Sequence, residues 1–127
     1  MNDQRIIRAV IVPADSEQPA RIEDISPTLG VLQHLVGGWL EAIAGDGWTA
    51  FINEEGKLNM LPVNEAGNRI LAVLNWESVG RDVVVGPLLI VGPADENGFE
   101  TSVSDDVLGK ILDWYRANGT VKKAGDQ

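Results

Sequence analysis

Arg5-Ile6-Ile7-Arg8-Ala9-Val10-Ile11-Val12 is a nearly unbroken apolar run that Pro13 ends. It is too short for a typical helix and rich in β-branched residues, so it reads as an interior strand of a sheet. Asp15 to Pro19 is a turn, and Ala20 to Ile25 alternates well enough to be a second strand, antiparallel to the first. Ser26 then fits a helix N-cap, with Pro27 at the first helical position and Gly37 as the left-handed residue that ends the helix. At about 100° per residue, Leu29, Leu32, Gln33 and Val36 share one face of that helix, Leu35 lies at its edge and His34 points away.

Further along, Trp39 to Ile43, Trp48 to Asn53 and Lys57 to Leu61 read as three short strands of a meander, joined by Gly45-Asp46-Gly47 and Glu54-Glu55-Gly56. Asn64 can cap a second helix running to about Asn75. Its apolar face is Val63, Gly67, Ile70, Leu71 and Leu74, and Trp76 falls on the opposite side. Asp82 to Val91 is a second apolar run, interrupted by Gly86-Pro87, where a bulge or a crossing between strands is expected. Gly92 to Gly98 is a loop. Ser104 opens a last helix with Val107, Leu108, Ile111, Leu112, Trp114 and Tyr115 on one broad face, and Gly119 ends it. The expected fold is one α+β domain over residues 1–120, a mixed or mostly antiparallel sheet of about six strands packed with three helices. The tail, 121–127, is expected to be disordered.

The 127 residues suit a single domain whose core needs no covalent staple. Cysteine is absent, which removes disulfides, thiolate metal sites and a cysteine nucleophile, and suits a reducing cytoplasm. No stretch approaches the ~20 apolar residues that span a bilayer, and the N-terminus lacks a signal-peptide pattern, so a soluble, unsecreted protein is expected. Nineteen acidic and ten basic residues leave a charge of −9, which disfavours sequence-independent binding to DNA or RNA. An acidic nucleic-acid mimic would need those acids gathered on one surface, but in sequence they are scattered.

Asn53-Glu54-Glu55-Gly56-Lys57 places two carboxylates, an amide and an ammonium within five positions. A catalytic reading makes Glu54 and Glu55 act with Lys57 as acid and base. The structural reading is a tight hairpin on a type I turn, with Gly56 at positive φ and Asn53 bonding its own turn backbone. Gly37-Gly38 follows the negative end of a helix, which disfavours anion binding there. His34 is the single histidine and has no fixed carboxylate beside it, and no metal or cofactor is expected. Gln33 and Asn64 are amides near apolar faces whose hydrogen bonds must be met by backbone or by a ligand. Trp76, on a polar side, fits an exposed anchor for a partner.

Leu32-Gln33-His34-Leu35-Val36-Gly37-Gly38 and Asn53-Glu54-Glu55-Gly56-Lys57, together with Pro62, Asn64 and Gly86, resemble the family catalogued as domain of unknown function 3846. Ser102 to Asp106 looks like that family's lead into its C-terminal helix. The resemblance implies a compact α+β domain in phage, plasmid and actinobacterial genomes. It implies no substrate, cofactor or catalytic residue.

The expected role is that of a non-enzymatic accessory protein of a phage or mobile element, in the cytoplasm of its bacterial host. It would inhibit a host or defence component by binding a protein, or by sequestering a small polar metabolite such as a signalling nucleotide. The expected contact surface is Gln33, Gly37, Gly38, Asn53, Glu54, Glu55, Lys57 and Asn64, with Trp76 as anchor. Edge strands of the meander leave self-association open.

Overall fold

A computed structural model describes residues 5–118. These form five strands and three helices: β1 (Ile7–Val12), β2 (Arg21–Ile25), α1 (Leu29–Val36), β3 (Leu40–Ala44), β4 (Thr49–Asn53), α2 (Glu65–Val73), β5 (Leu88–Val91) and α3 (Asp105–Asn118). The strands make one sheet in the order β2-β1-β5-β4-β3, antiparallel at every pairing. The fold is α+β, as its residue pattern implies.

β1 is an interior strand with an apolar core on each side. Val10 and Val12 pack with α2 and α3 through Ile70, Leu71, Val107 and Ile111. Ile7, Ala9 and Ile11 pack on the other side with Leu32 and Val36 of α1. Leu88 and Ile90 of β5 face the first core and Leu89 and Val91 the second, which is why neither run alternates with polar residues. The sheet is thus sandwiched, with one helix on one face and two on the other.

Several local readings change. The segment 57–61 is not a strand, and the count is five. Asn59 N–H donates to Glu55 O at 2.9 Å and Leu61 N–H to Gly56 O at 2.9 Å, so the chain coils in successive turns. The place beside β4 is already filled by β5. The cap of α1 is Thr28, whose Oγ1 accepts from Val31 N–H at 3.2 Å, rather than Ser26. Pro27 therefore precedes the cap, and Leu29 in the first turn is exposed while Leu32 and Val36 are buried. The apolar run at Asp82–Val91 enters the sheet only after Gly86-Pro87, and Val85 forms an isolated bridge with Val63.

Trp76 is buried, at 9% exposure, within the α2/α3 core. α2 stops at Leu74, and Asn75 takes a left-handed φ of 62°, so the chain reverses and Trp76 N–H donates to Leu71 O at 2.9 Å. Helical spacing no longer holds beyond that reversal, which is why the polar-side placement of Trp76 fails. Asn64 and Gly37 terminate their helices as the sequence implies. The Gly119 helix stop and the 121–127 tail lie outside the described residues.

On α3, Val107, Ile111 and Tyr115 are buried, and Trp114 meets the Tyr115 ring edge-on at 4.8 Å. Burial pushes the Tyr115 phenol from its ordinary value near 10 to about 12. Below pH 10 the phenol is neutral in both folded and unfolded chains. Between about pH 10 and 12 the unfolded form ionises first, so folding stability is lost over that window. Tyr115 is the chain's single tyrosine. Denaturation midpoints measured from pH 9 to 12 should fall less steeply for Tyr115→Phe than for the native chain.

Candidate functional site

The last turn of α1 is closed by Gly37 at φ 84°, and both Gly37 N–H and Gly38 N–H donate to Gln33 O, at 2.8 and 3.0 Å. Those two donors are consumed by the helix stop, so the diglycine offers no nest to an anion. From there the chain passes directly into β3. Glu54 N–H donates to Trp39 O at 2.8 Å, which extends the β3–β4 ladder one step and brings the segment after α1 beside the segment after β4.

Contact between the two segments is closest at Gly38 and Asn53. A Cβ at position 38 would lie 2.9 Å from Asn53 Nδ2 and 3.2 Å from its Oδ1. Gly38 is therefore required by the approach of a buried amide. Asn53 is 7% exposed; its Oδ1 accepts from Glu55 N–H at 2.9 Å and its carbonyl from Gly56 N–H at 3.0 Å. The expected self-bonded turn is present, but it opens a coil and not a hairpin. Gly56 also does not take positive φ. It is glycine because a Cβ there would lie 2.9 Å from Val85 Cγ2 and 3.2 Å from Asn53 O.

Outside this packed centre, Glu54 and Lys57 are exposed and Glu55 half-buried. Lys57 Nζ donates to Asp82 Oδ1 rather than to either glutamate. That hydrogen bond, with a second from Val83 N–H at 2.8 Å, holds the Asp82 carboxyl below its ordinary value. Both partners are well solvated, so the pair adds little stability. Glu41, Asn53, Glu54, Lys57 and Asp82 border a recess of about 60 Å³. Sites that enclose a small ligand run to roughly 300 Å³ or more.

Two of the expected residues lie away from this surface. Asn64 is fully buried: its Oδ1 accepts from Gly67 N–H at 2.8 Å, and its Nδ2 donates to Val12 O at 2.9 Å and Gly86 O at 3.0 Å. Backbone groups satisfy this amide, which ties α2 to the ends of β1 and of the segment before β5. Trp76 is in the core, as described above. Gln33 is half-buried, and its side-chain amide has no hydrogen-bond partner among the described residues. His34 is exposed.

Trp39, which sequence reasoning placed only as a strand residue, is 63% exposed and sits between the diglycine and β3. Its position directly after a helix stop was the available signal, because a left-handed turn there reorients the next side chains. Larger clefts of about 370, 350 and 340 Å³ exist elsewhere, the first between the β1–β2 turn and the Trp114–Tyr115 end of α3.

Among the described residues no three His, Asp or Glu side chains gather to hold a metal, and no helix is long and apolar enough to cross a membrane. No curated protein and no solved structure matches the chain. The model of one family, Domain of unknown function (DUF3846), matches residues 7–116 and so takes in the whole sheet, all but the last two residues of α3 and both segments that meet at Gly38 and Asn53. The chain belongs to the DUF3846 family.

Proposed function

We propose that this chain is a non-enzymatic accessory protein of a phage or other mobile element, which acts in the cytoplasm of a bacterial host and inhibits a host or defence component by binding it as a protein. The single observation that carries this reading is an exposed tryptophan, Trp39, standing with Glu54 and Lys57 on a rigid base in which Gly38 packs on Asn53. A solvent-exposed tryptophan is a side chain that protein interfaces use as an anchor, and the charges around it set which partner fits. At this surface the recess of about 60 Å³ is too small to enclose a metabolite, which favours a protein partner over a signalling nucleotide there. Acid–base catalysis by Glu54, Glu55 and Lys57 is disfavoured, because the lysine ammonium is held by Asp82. Mimicry of nucleic acid is disfavoured as well: acids sit at both edges of the sheet, and Asp24, Asp106 and Asp113 each lie within 4 Å of a cation.

Native mass spectrometry of the chain purified from its host, followed by denaturation, is expected to release a protein partner at a fixed stoichiometry. Glu54→Ala with Lys57→Ala should leave the fold intact and lower recovery of that partner by about tenfold. Full recovery with the folded double variant contradicts the placement.

A further inference from the structure

We infer that the outer edge of β3 is a docking strand, and that its occupant is an extended basic segment of the partner protein, added to the sheet as a sixth strand. The inference rests on the protein-binding reading above and names the mode of contact. β3 is the last strand of the sheet and pairs only with β4. Trp39 O accepts from Glu54 N–H and Gly45 N–H donates to Trp48 O, which fixes the odd-numbered residues 39 to 45 as the ones bonded to β4. The N–H and C=O groups of Leu40, Ala42 and Ala44 therefore point outward, unpaired among the described residues.

The two edges of the sheet differ in how they are guarded. β2 carries Arg21, Glu23 and Asp24, with Arg21 bridged to Glu23 and Asp24 to Arg8 of β1. That edge is charged and already neutralised, the usual defence against pairing. β3 reads Leu-Glu-Ala-Ile-Ala, with no lysine and no proline, and its two exposed alanines leave room for an incoming backbone.

Charge selects the occupant. Glu41 is exposed on β3 itself, Asp46 in the turn that follows it and Glu54 just past β4, opposite Trp39, and the nearby Lys57 is held by Asp82. Alternation puts Trp39 and Glu41 on the same face as Ile43, which packs toward the α2/α3 core. Every second side chain of an added strand would stand beside Glu41 and the Trp39 ring, a pairing that suits arginine or lysine. A second copy of this chain would bring the same acids to the same edge.

A short synthetic peptide alternating Arg and Val, and its counterpart with Glu in place of Arg, serve as probes of the full chain. The Arg peptide is expected to slow amide exchange at Leu40, Ala42 and Ala44 and to change Trp39 fluorescence, and the Glu peptide to do neither. Ala42→Pro is tolerated because that N–H faces outward, yet it deletes a docking donor, so it should weaken Arg-peptide binding by about tenfold. Equal binding of the Arg peptide to Ala42→Pro overturns the inference, as does equal binding of both peptides. Slow exchange at Leu40, Ala42 and Ala44 in a dimer without peptide overturns the assignment of occupant. In host purification, a partner kept by Ala42→Pro but lost with Glu54→Ala and Lys57→Ala refutes strand addition and keeps the proposed surface. A partner kept by both variants refutes both.

Discussion

Asn64→Ala is expected to lower folding stability by about 3–5 kcal/mol, as much as truncating a large buried apolar side chain. The side chain is 0% exposed and makes three hydrogen bonds to backbone groups. Removing it leaves Gly67 N–H without its cap and takes one donor from each of the Val12 and Gly86 carbonyls. The surroundings cannot close over the gap with another polar group, because Gly67 itself already packs against Asn64 and has no side chain to offer. Asn64→Asp separates the two contributions. It keeps an oxygen for Gly67 N–H but turns a carboxylate toward two carbonyl oxygens, so it should lose at least about 2 kcal/mol despite preserving the cap. Urea denaturation of both variants checks this, and a loss under about 1 kcal/mol for Asn64→Ala would refute the role assigned to the amide.

Gly38→Ala is expected to destabilise by about 1–3 kcal/mol, the range for forcing one methyl group into a packed site. Position 38 does not have a left-handed φ, so alanine is conformationally acceptable there. The loss comes from contact alone: the new Cβ would stand 2.9 Å from Asn53 Nδ2 and 3.3 Å from its Cγ. Asn53 cannot swing aside freely, since it is buried and its Oδ1 holds Glu55 N–H. Displacing it should speed amide exchange at Glu55 and disturb the turn that carries Glu54 and Lys57. A midpoint unchanged from the native chain would mean that the two segments are not packed as described.

Much of this fold was legible because the deciding residues act locally. Pro13 ends β1, Gly37 ends α1, and Asn64 caps α2 through the N–H three residues on. The readings that failed depend on tertiary partners. Whether 57–61 forms a strand is settled by β5 occupying the free side of β4, a pairing between segments more than thirty residues apart in sequence. Trp76 was misplaced because helical periodicity was carried one step past the reversal at Asn75. Turn chemistry implies a positive φ at Gly56, whereas its lack of a side chain answers to Val85, which only the fold brings near.

The same distinction runs through the candidate site. Asn53, Glu54 and Lys57 could be picked out by type and spacing, yet their surroundings could not. That Lys57 is held by Asp82, and that Asn53 faces Gly38, follows from packing between distant segments. Trp39 is a site residue by its 63% exposure, which depends on how the chain turns at Gly37 and enters β3.

The two family segments form one packed unit through Gly38 and Asn53, and its outer surface is the one we propose a partner meets. A double-mutant cycle on Gly38→Ala and Asn53→Ala, read as unfolding free energies, tests the packing directly. Once Asn53 is truncated the methyl at position 38 has room, so Gly38→Ala should cost nothing or add a few tenths of a kcal/mol, roughly, by restricting the unfolded chain. The expected coupling is therefore about 1–3 kcal/mol, the whole cost of Gly38→Ala in the native background. If Gly38→Ala costs the same in both backgrounds, the two segments are neighbours that do not depend on one another, which contradicts a shared packed unit.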